Sequence, residues 1–143
     1  MTTTINIPSA DESEWVLLLK PYQQSTINKF LKKCSAEEAA EKWLGSTGSP
    51  NIATFGGGVD TKPFWERFKS EFKKFICDDK AYVDEKESLM AEGPVAKAIL
   101  ISVISAAIGA TIGYTATLLA PPVALLLCSV GKIGLNAYCD IEG

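Results

Sequence analysis

The chain has no histidine among its 143 residues. That absence removes Ser-His and Cys-His nucleophile pairs, histidine-ligated zinc and the commonest general base near neutral pH. Basic residues are not in excess either: 14 Lys and Arg stand against 17 Asp and Glu, for a net charge of −3. Nucleic acid is therefore not expected as a partner, because phosphate binding needs clustered Lys and Arg. The four cysteines, Cys34, Cys77, Cys128 and Cys139, include no CxxC pair. With no basic and apolar leader in MTTTINIPSADESE, they read as thiols of a cytosolic chain, outside any disulfide. No acid/base pair, metal cluster or nucleophile motif stands out, so the expectation is a protein that is not an enzyme and holds no cofactor and no metal.

Charge is missing from most of the last third. Residues 93–143 hold only Lys97, Lys132, Asp140 and Glu142. The run Ala98–Ala120 would be roughly 35 Å long as a helix, enough to cross the ~30 Å hydrocarbon core of a bilayer. Pro121-Pro122 follows and reads as the turn of a hairpin, and Val123–Cys139 reads as a shorter second helix.

The part before it is polar and helical in pattern. A first helix starts at Ser9 or Asp11, bears Trp15, Val16, Leu18 and Leu19, and stops near Lys20 because Pro21 follows. A second runs Tyr22 to Lys33 with Ile27, Phe30 and Leu31 on one side. Ser35 with Glu38 is a capping-box signature, opening a helix that Gly45 closes. The stretch 45–62, with five glycines and one proline, reads as a flexible loop. Its Gly56-Gly57-Gly58 lacks the Gly-Lys-Ser/Thr continuation of a phosphate loop. From Thr61 a helix carries Phe64, Trp65, Phe68, Phe72 and Phe75 on one stripe, with Ile76, to Cys77. That stripe fits either a core-facing side or a face for a partner or an inner-leaflet surface. Asp78-Asp79 then cap a short helix, Lys80 to Met90.

Two constellations in the hairpin are candidates for function. Ser102, Ser105, Gly109, Gly113 and Ala116 recur at spacings of three and four and include a GxxxG pair. The second helix supplies Cys128, Gly131 and Gly134, so both helices offer small-residue faces for packing or oligomerisation. Ser129, Lys132 and Asn136 share a spacing that puts them on one face, with Lys132 near the middle of the 123–139 segment. In a membrane oligomer that face would line a pore; in a soluble fold it would be the solvated side of the helix; a third alternative is an anchor that does not conduct.

The fold expected is all-α: a soluble helical module over residues 1–92, then a hydrophobic helical hairpin over 93–143 that inserts in a membrane. This layout resembles that of small bacterial membrane-disrupting effectors and pore formers. The resemblance implies a toxin or defence effector whose partners are a lipid bilayer, further copies of itself and a protein regulator. Lys73, Lys74, Lys80, Lys86 and Lys97 before the hairpin would keep both termini in the cytosol, with the protein in the inner membrane. The alternative is a cytoplasmic all-α adaptor whose hairpin is buried in its own core or in an oligomer interface.

Overall fold

A computed structural model describes residues 7, 11–47, 62–78, 80–90 and 96–142. Among these residues the chain is all-α, with helices α1 (Glu12–Val16), α2 (Pro21–Leu31), α3 (Ala36–Thr47), α4 (Lys62–Cys77), α5 (Val83–Met90), α6 (Lys97–Ile112), α7 (Ala116–Ile133) and α8 (Leu135–Glu142). The glycine-rich stretch 48–61 lies outside the described residues.

Local chemistry sets most boundaries in the first half. Pro21 begins α2 rather than only ending α1, because a first-turn residue needs no N–H partner. The Ser35 hydroxyl accepts from Glu38 N–H at 3.2 Å, and Glu38 accepts from Ser35 N–H at 3.2 Å, which closes the expected capping box on α3. That helix runs through Gly45 to Thr47, so Gly45 does not close it. Helix α5 starts at Val83 instead of Lys80. Tyr82, just before it, has a left-handed backbone (φ 54) that a helix cannot continue through. The Tyr82 hydroxyl donates to Glu71 at 2.6 Å and sits 3.0 Å from the Thr111 hydroxyl, tying α4, α5 and α6 together. Burial and the Glu71 carboxylate push the Tyr82 phenol up to about 12.

The hairpin is cut differently from the sequence expectation. Helix α6 ends at Ile112, and Ala98–Ala120 is not one helix. Gly113 takes the left-handed conformation (φ 85), and the N–H groups of Gly113 and Tyr114 both reach the Gly109 carbonyl, at 2.8 and 2.9 Å. Thr115 then caps α7, its hydroxyl accepting from Leu118 N–H at 3.4 Å. The turn is thus Gly113-Tyr114-Thr115, and Pro121-Pro122 lie inside α7. This turn folds α7 back along α6. Gly134, at φ 93, ends α7, so Val123–Cys139 is also divided, and α8 follows as a separate helix.

Helix α7 is the centre of the packing. It packs against α3, α6, α1 and α8. Every residue from Pro121 to Cys128 is buried. Trp15, Ile27, Trp43 and Leu44 from the first three helices, and Phe68, Phe72 and Phe75 from α4, join one continuous core with it. Each such large side chain contributes about 1.5–3 kcal/mol when withdrawn from water. The core therefore draws on residues from both sides of the 92/93 boundary.

Cys77 and Cys139 form a disulfide, which overturns the expectation that all four cysteines stay reduced. The sequence gives no hint of it because the partners lie 62 residues apart. They meet because α8 packs on α4, where Tyr138 stands edge-on to Phe72 at 6.2 Å. Cys34 and Cys128 are outside any disulfide. Joining residues 62 apart removes unfolded-chain entropy on the order of 4 kcal/mol. The Cys77→Ser, Cys139→Ser double variant should lose up to about that much unfolding free energy in a denaturant titration. An unchanged midpoint, with both thiols of the native protein reacting with a thiol reagent, would show that the bridge is not formed.

Candidate functional site: a proline-interrupted helix and its side-chain donors

Proline has no N–H, so at position i it leaves the carbonyl of residue i−4 without its helical partner. In α7, Pro121 orphans the Thr117 carbonyl and Pro122 orphans the Leu118 carbonyl. Both accept from side chains of other helices. Gln23 Nε2 of α2 donates to Thr117 O at 2.9 Å, and Trp43 Nε1 of α3 donates to Leu118 O at 2.7 Å. Gln23 and Trp43 are each only 1% exposed, so neither donor was left for water. Gln23 is held in place from its other end, where its Oε1 accepts from Lys20 N–H at 3.1 Å. Two consecutive prolines thus make two consecutive acceptors, and two consecutive helices of the sheath supply the donors.

Sequence reasoning missed these four residues. It treated Pro121-Pro122 as a turn, which hides the question of where the freed carbonyls find hydrogen. The one signal available in the sequence was the Gly-x-Thr stop-and-cap signature, Gly113 to Thr115, just upstream of the prolines.

The small-residue stripe is dispersed rather than forming one packing face. Ser102 and Gly113 are exposed, Ala116 is half-buried, and Ser105 is 1% exposed. Gly109 and Gly113 do not form an in-helix GxxxG pair, because Gly113 lies in the turn. Gly109 is needed by that turn: a Cβ there would run into the Tyr114 carbonyl oxygen. In α7, Cys128 is buried and Gly131 half-buried, while Gly134 is the exposed C-cap.

Ser129, Lys132 and Asn136 do not share one helix, since α7 stops at Ile133 and Asn136 belongs to α8. The Ser129 hydroxyl donates to the Leu125 carbonyl of its own helix at 3.3 Å. Lys132 is exposed in the last turn of α7, where a cation suits the helix dipole, and not at mid-segment as its place in 123–139 implied. The Asn136 side chain lies outside the described residues.

The aromatic stripe of α4 turns inward. Trp65, Phe68, Phe72 and Phe75 are at most 3% exposed and pack toward α6 and α8. The Phe64 side chain lies outside the described residues. Lys69 on the same helix pairs with Glu37 of α3 at 3.2 Å. Glu71, which burial alone would raise, is held below the usual carboxylate range by hydrogen bonds from Tyr82 and Lys74.

Among the described residues no cluster of His, Cys, Asp and Glu is arranged to hold a metal ion. Among the described residues one helix, Ala116–Ile133, is long and apolar enough to cross a membrane (mean hydropathy 1.7), and 56% of it is buried by the rest of the chain. Exposed large apolar side chains gather on the α1–α2 turn, at Leu17, Leu18 and Tyr22, and at Ile99 on the first turn of α6. No protein-family model, no curated protein and no solved structure matches this chain.

The donor–acceptor pairing yields a double-mutant cycle. Trp43→Phe keeps most of the ring but strands the Leu118 carbonyl, which should cost about 1–3 kcal/mol of stability. Pro122→Ala returns a helical N–H to that carbonyl, so Trp43→Phe in that background should cost less by about 1 kcal/mol or more. Additive effects of the two substitutions in urea titrations would mean that the indole N–H does not serve the proline gap.

Proposed function

We propose that this chain is a water-soluble, non-enzymatic all-helical binding protein that keeps its apolar hairpin as its own core. The observation that carries the reading is the pair of hydrogen bonds from Gln23 and Trp43 to the Thr117 and Leu118 carbonyls. A helix bound for lipid must have its backbone satisfied by itself or by a neighbour that inserts with it, because each unpaired carbonyl in hydrocarbon costs several kcal/mol. Here the donors come from α2 and α3, so withdrawing α7 from the bundle would strand both acceptors. The lack of histidine supports a role in binding rather than catalysis. The Cys77–Cys139 bridge favours an oxidising compartment over the reducing cytosol.

A second reading retains membrane insertion, with oligomerisation and permeabilisation as a toxin or defence effector would use them, under control of a regulator. A specific observation favours it: the hairpin is charge-free from Ala98 to Gly131 and is bounded by Lys97 and Lys132. Because α7 folds back along α6, those two lysines fall at the same, open end of the hairpin, as positively charged flanks of an inserting hairpin would. Helices of 16 and 18 residues reach about 24 and 27 Å, just short of a typical hydrocarbon core. In this reading α1–α5 are a sheath that must open first.

Flotation with anionic phospholipid vesicles separates the two, run on the full chain with and without a dithiol reductant. The soluble reading expects the protein to stay at the bottom of the gradient as one monodisperse species and to release no trapped dye. Carbonate-resistant association with vesicles, together with dye release, would overturn it in favour of insertion.

A further inference from the structure

Helix α8 is tied down at both ends and lightly in between. At its start stands Gly134, whose backbone takes a positive-φ conformation (φ 93, ψ 144) that favours glycine. Gly134 is exposed, and a Cβ placed on it would meet nothing within 4 Å, so the chain has room to turn there. Towards the other end Cys139 is bonded to Cys77 at the end of α4, and both cysteines are half-buried rather than sealed. Among the described side chains of α8, Ala137 and Asp140 are exposed and only Tyr138 is buried, edge-on to Phe72 at 6.2 Å. That contact is open on one side: a half-open cavity of about 270 Å³ lies against Tyr138, lined also by Glu66, Lys69, Ser70 and Lys73 of α4. An eight-residue helix does not hold its shape alone in water, since isolated helices need about 12–15 residues to be even marginally stable. The buried core is otherwise built without α8, for Tyr138 is its one buried member from that helix among the described residues.

We propose that the Cys77–Cys139 bridge is a reversible redox latch, whose reduction by a dithiol releases α8 from α4 while the body of the bundle stays folded. In the exchange, one thiolate of the dithiol attacks a bridge sulfur, which forms a mixed disulfide and frees the other cysteine. The dithiol's second sulfur then displaces the cysteine still bound and closes the dithiol's own disulfide. Two electrons and two protons pass from the dithiol to the two cysteines, and no other reactant is needed. A chain passing from oxidising to reducing surroundings meets reductants of this class. With the bridge open, the Tyr138 ring and the packing of α8 on α4 and α7 are all that oppose the conformational entropy of a short helix on a glycine hinge. Entropy prevails, α8 swings about Gly134, and the edge of Phe72 that Tyr138 covered meets water. A permanent staple would sit beyond the reach of reductants and close the main core. This bridge is partly open to solvent and closes a peripheral helix. The latch asks nothing of the hairpin's behaviour towards lipid, so it stands or falls apart from the soluble reading.

Amide exchange of the full chain in lipid-free buffer, with and without dithiothreitol, tests the latch, with mass after thiol alkylation confirming that Cys77 and Cys139 are reduced. The Tyr138 N–H donates to the Gly134 carbonyl at 2.9 Å and so reports on the first turn of α8. Reduction should speed exchange at Tyr138 and Asp140 by about a hundred-fold or more, while Val123–Val130 keep the rates they have with the bridge closed. Removing dithiothreitol and adding oxidised glutathione should restore the slow rates. Cys139→Ser should exchange fast in α8 in plain buffer and not respond to dithiothreitol. The Cys34→Ser, Cys128→Ala double variant, which keeps the bridge, should respond as the wild type does. The proposal is overturned if α8 stays protected after both thiols are shown to be free, since packing alone then holds it. It is equally overturned if reduction speeds α7 along with α8, which would make the bridge a staple of the whole fold, or if the bridge of the native protein resists dithiothreitol.

Discussion

Two consecutive prolines inside a buried helix impose the constraint on which this structure depends. Pro121 and Pro122 are buried inside α7 and leave two carbonyls without helical partners, those of the exposed Thr117 and the half-buried Leu118. Backbone acceptors freed in this way are paired by water or by protein donors. Gln23 and Trp43 supply them, and in doing so fix where α2 and α3 sit along α7. Apolar packing alone would tolerate sliding or rotation of one helix on another, because it is not directional. Two hydrogen bonds to adjacent residues do not. The register of the sheath on the hairpin is thus set by polar groups inside an otherwise apolar core.

The same constraint changes the meaning of the hydrophobicity. An apolar stretch long enough to span a bilayer is also what the central helix of a small helical bundle requires, since it is covered on all sides. Length and composition do not separate these cases. The proposed soluble reading rests instead on the location of the hydrogen-bond donors, which lie on the polar half of the chain, outside the hairpin. Lys132 is compatible with either case, since beside Lys97 it also suits the flank of an inserting hairpin. At the end of α7 and exposed, it needs neither a pore nor a partner, whereas mid-segment it would have demanded one. The disulfide adds a covalent tie at the far end, holding α8 to α4 and closing the bundle around α7.

The sequence made the helical class readable, along with the Ser35–Glu38 cap and an aromatic stripe on α4. Each depends on local spacing alone. The hairpin boundaries were misread because two breakers competed. Pro-Pro is the more conspicuous, but proline is tolerated near a helix start and inside a helix whose lost bonds are replaced. Gly113 followed by Thr115 is the pair that ends one helix and begins the next. From that misplacement came the apparent GxxxG pair and, together with the unread stop at Gly134, the mid-segment lysine. The Cys77–Cys139 bridge and the Gln23 and Trp43 donors were not legible. They depend on residues brought together from far apart in the chain, and no local period encodes that.

Amide hydrogen exchange of α7 in plain aqueous buffer, without lipid or detergent, tests the central claim most directly. If α7 is the latched core of a soluble fold, the amides of Val123–Val130 should be among the slowest in the protein and should exchange only through global unfolding. Trp43→Phe should accelerate them. Rapid exchange of α7 in buffer, with protection gained only when lipid or detergent is added, would contradict the account and return the hairpin to the membrane.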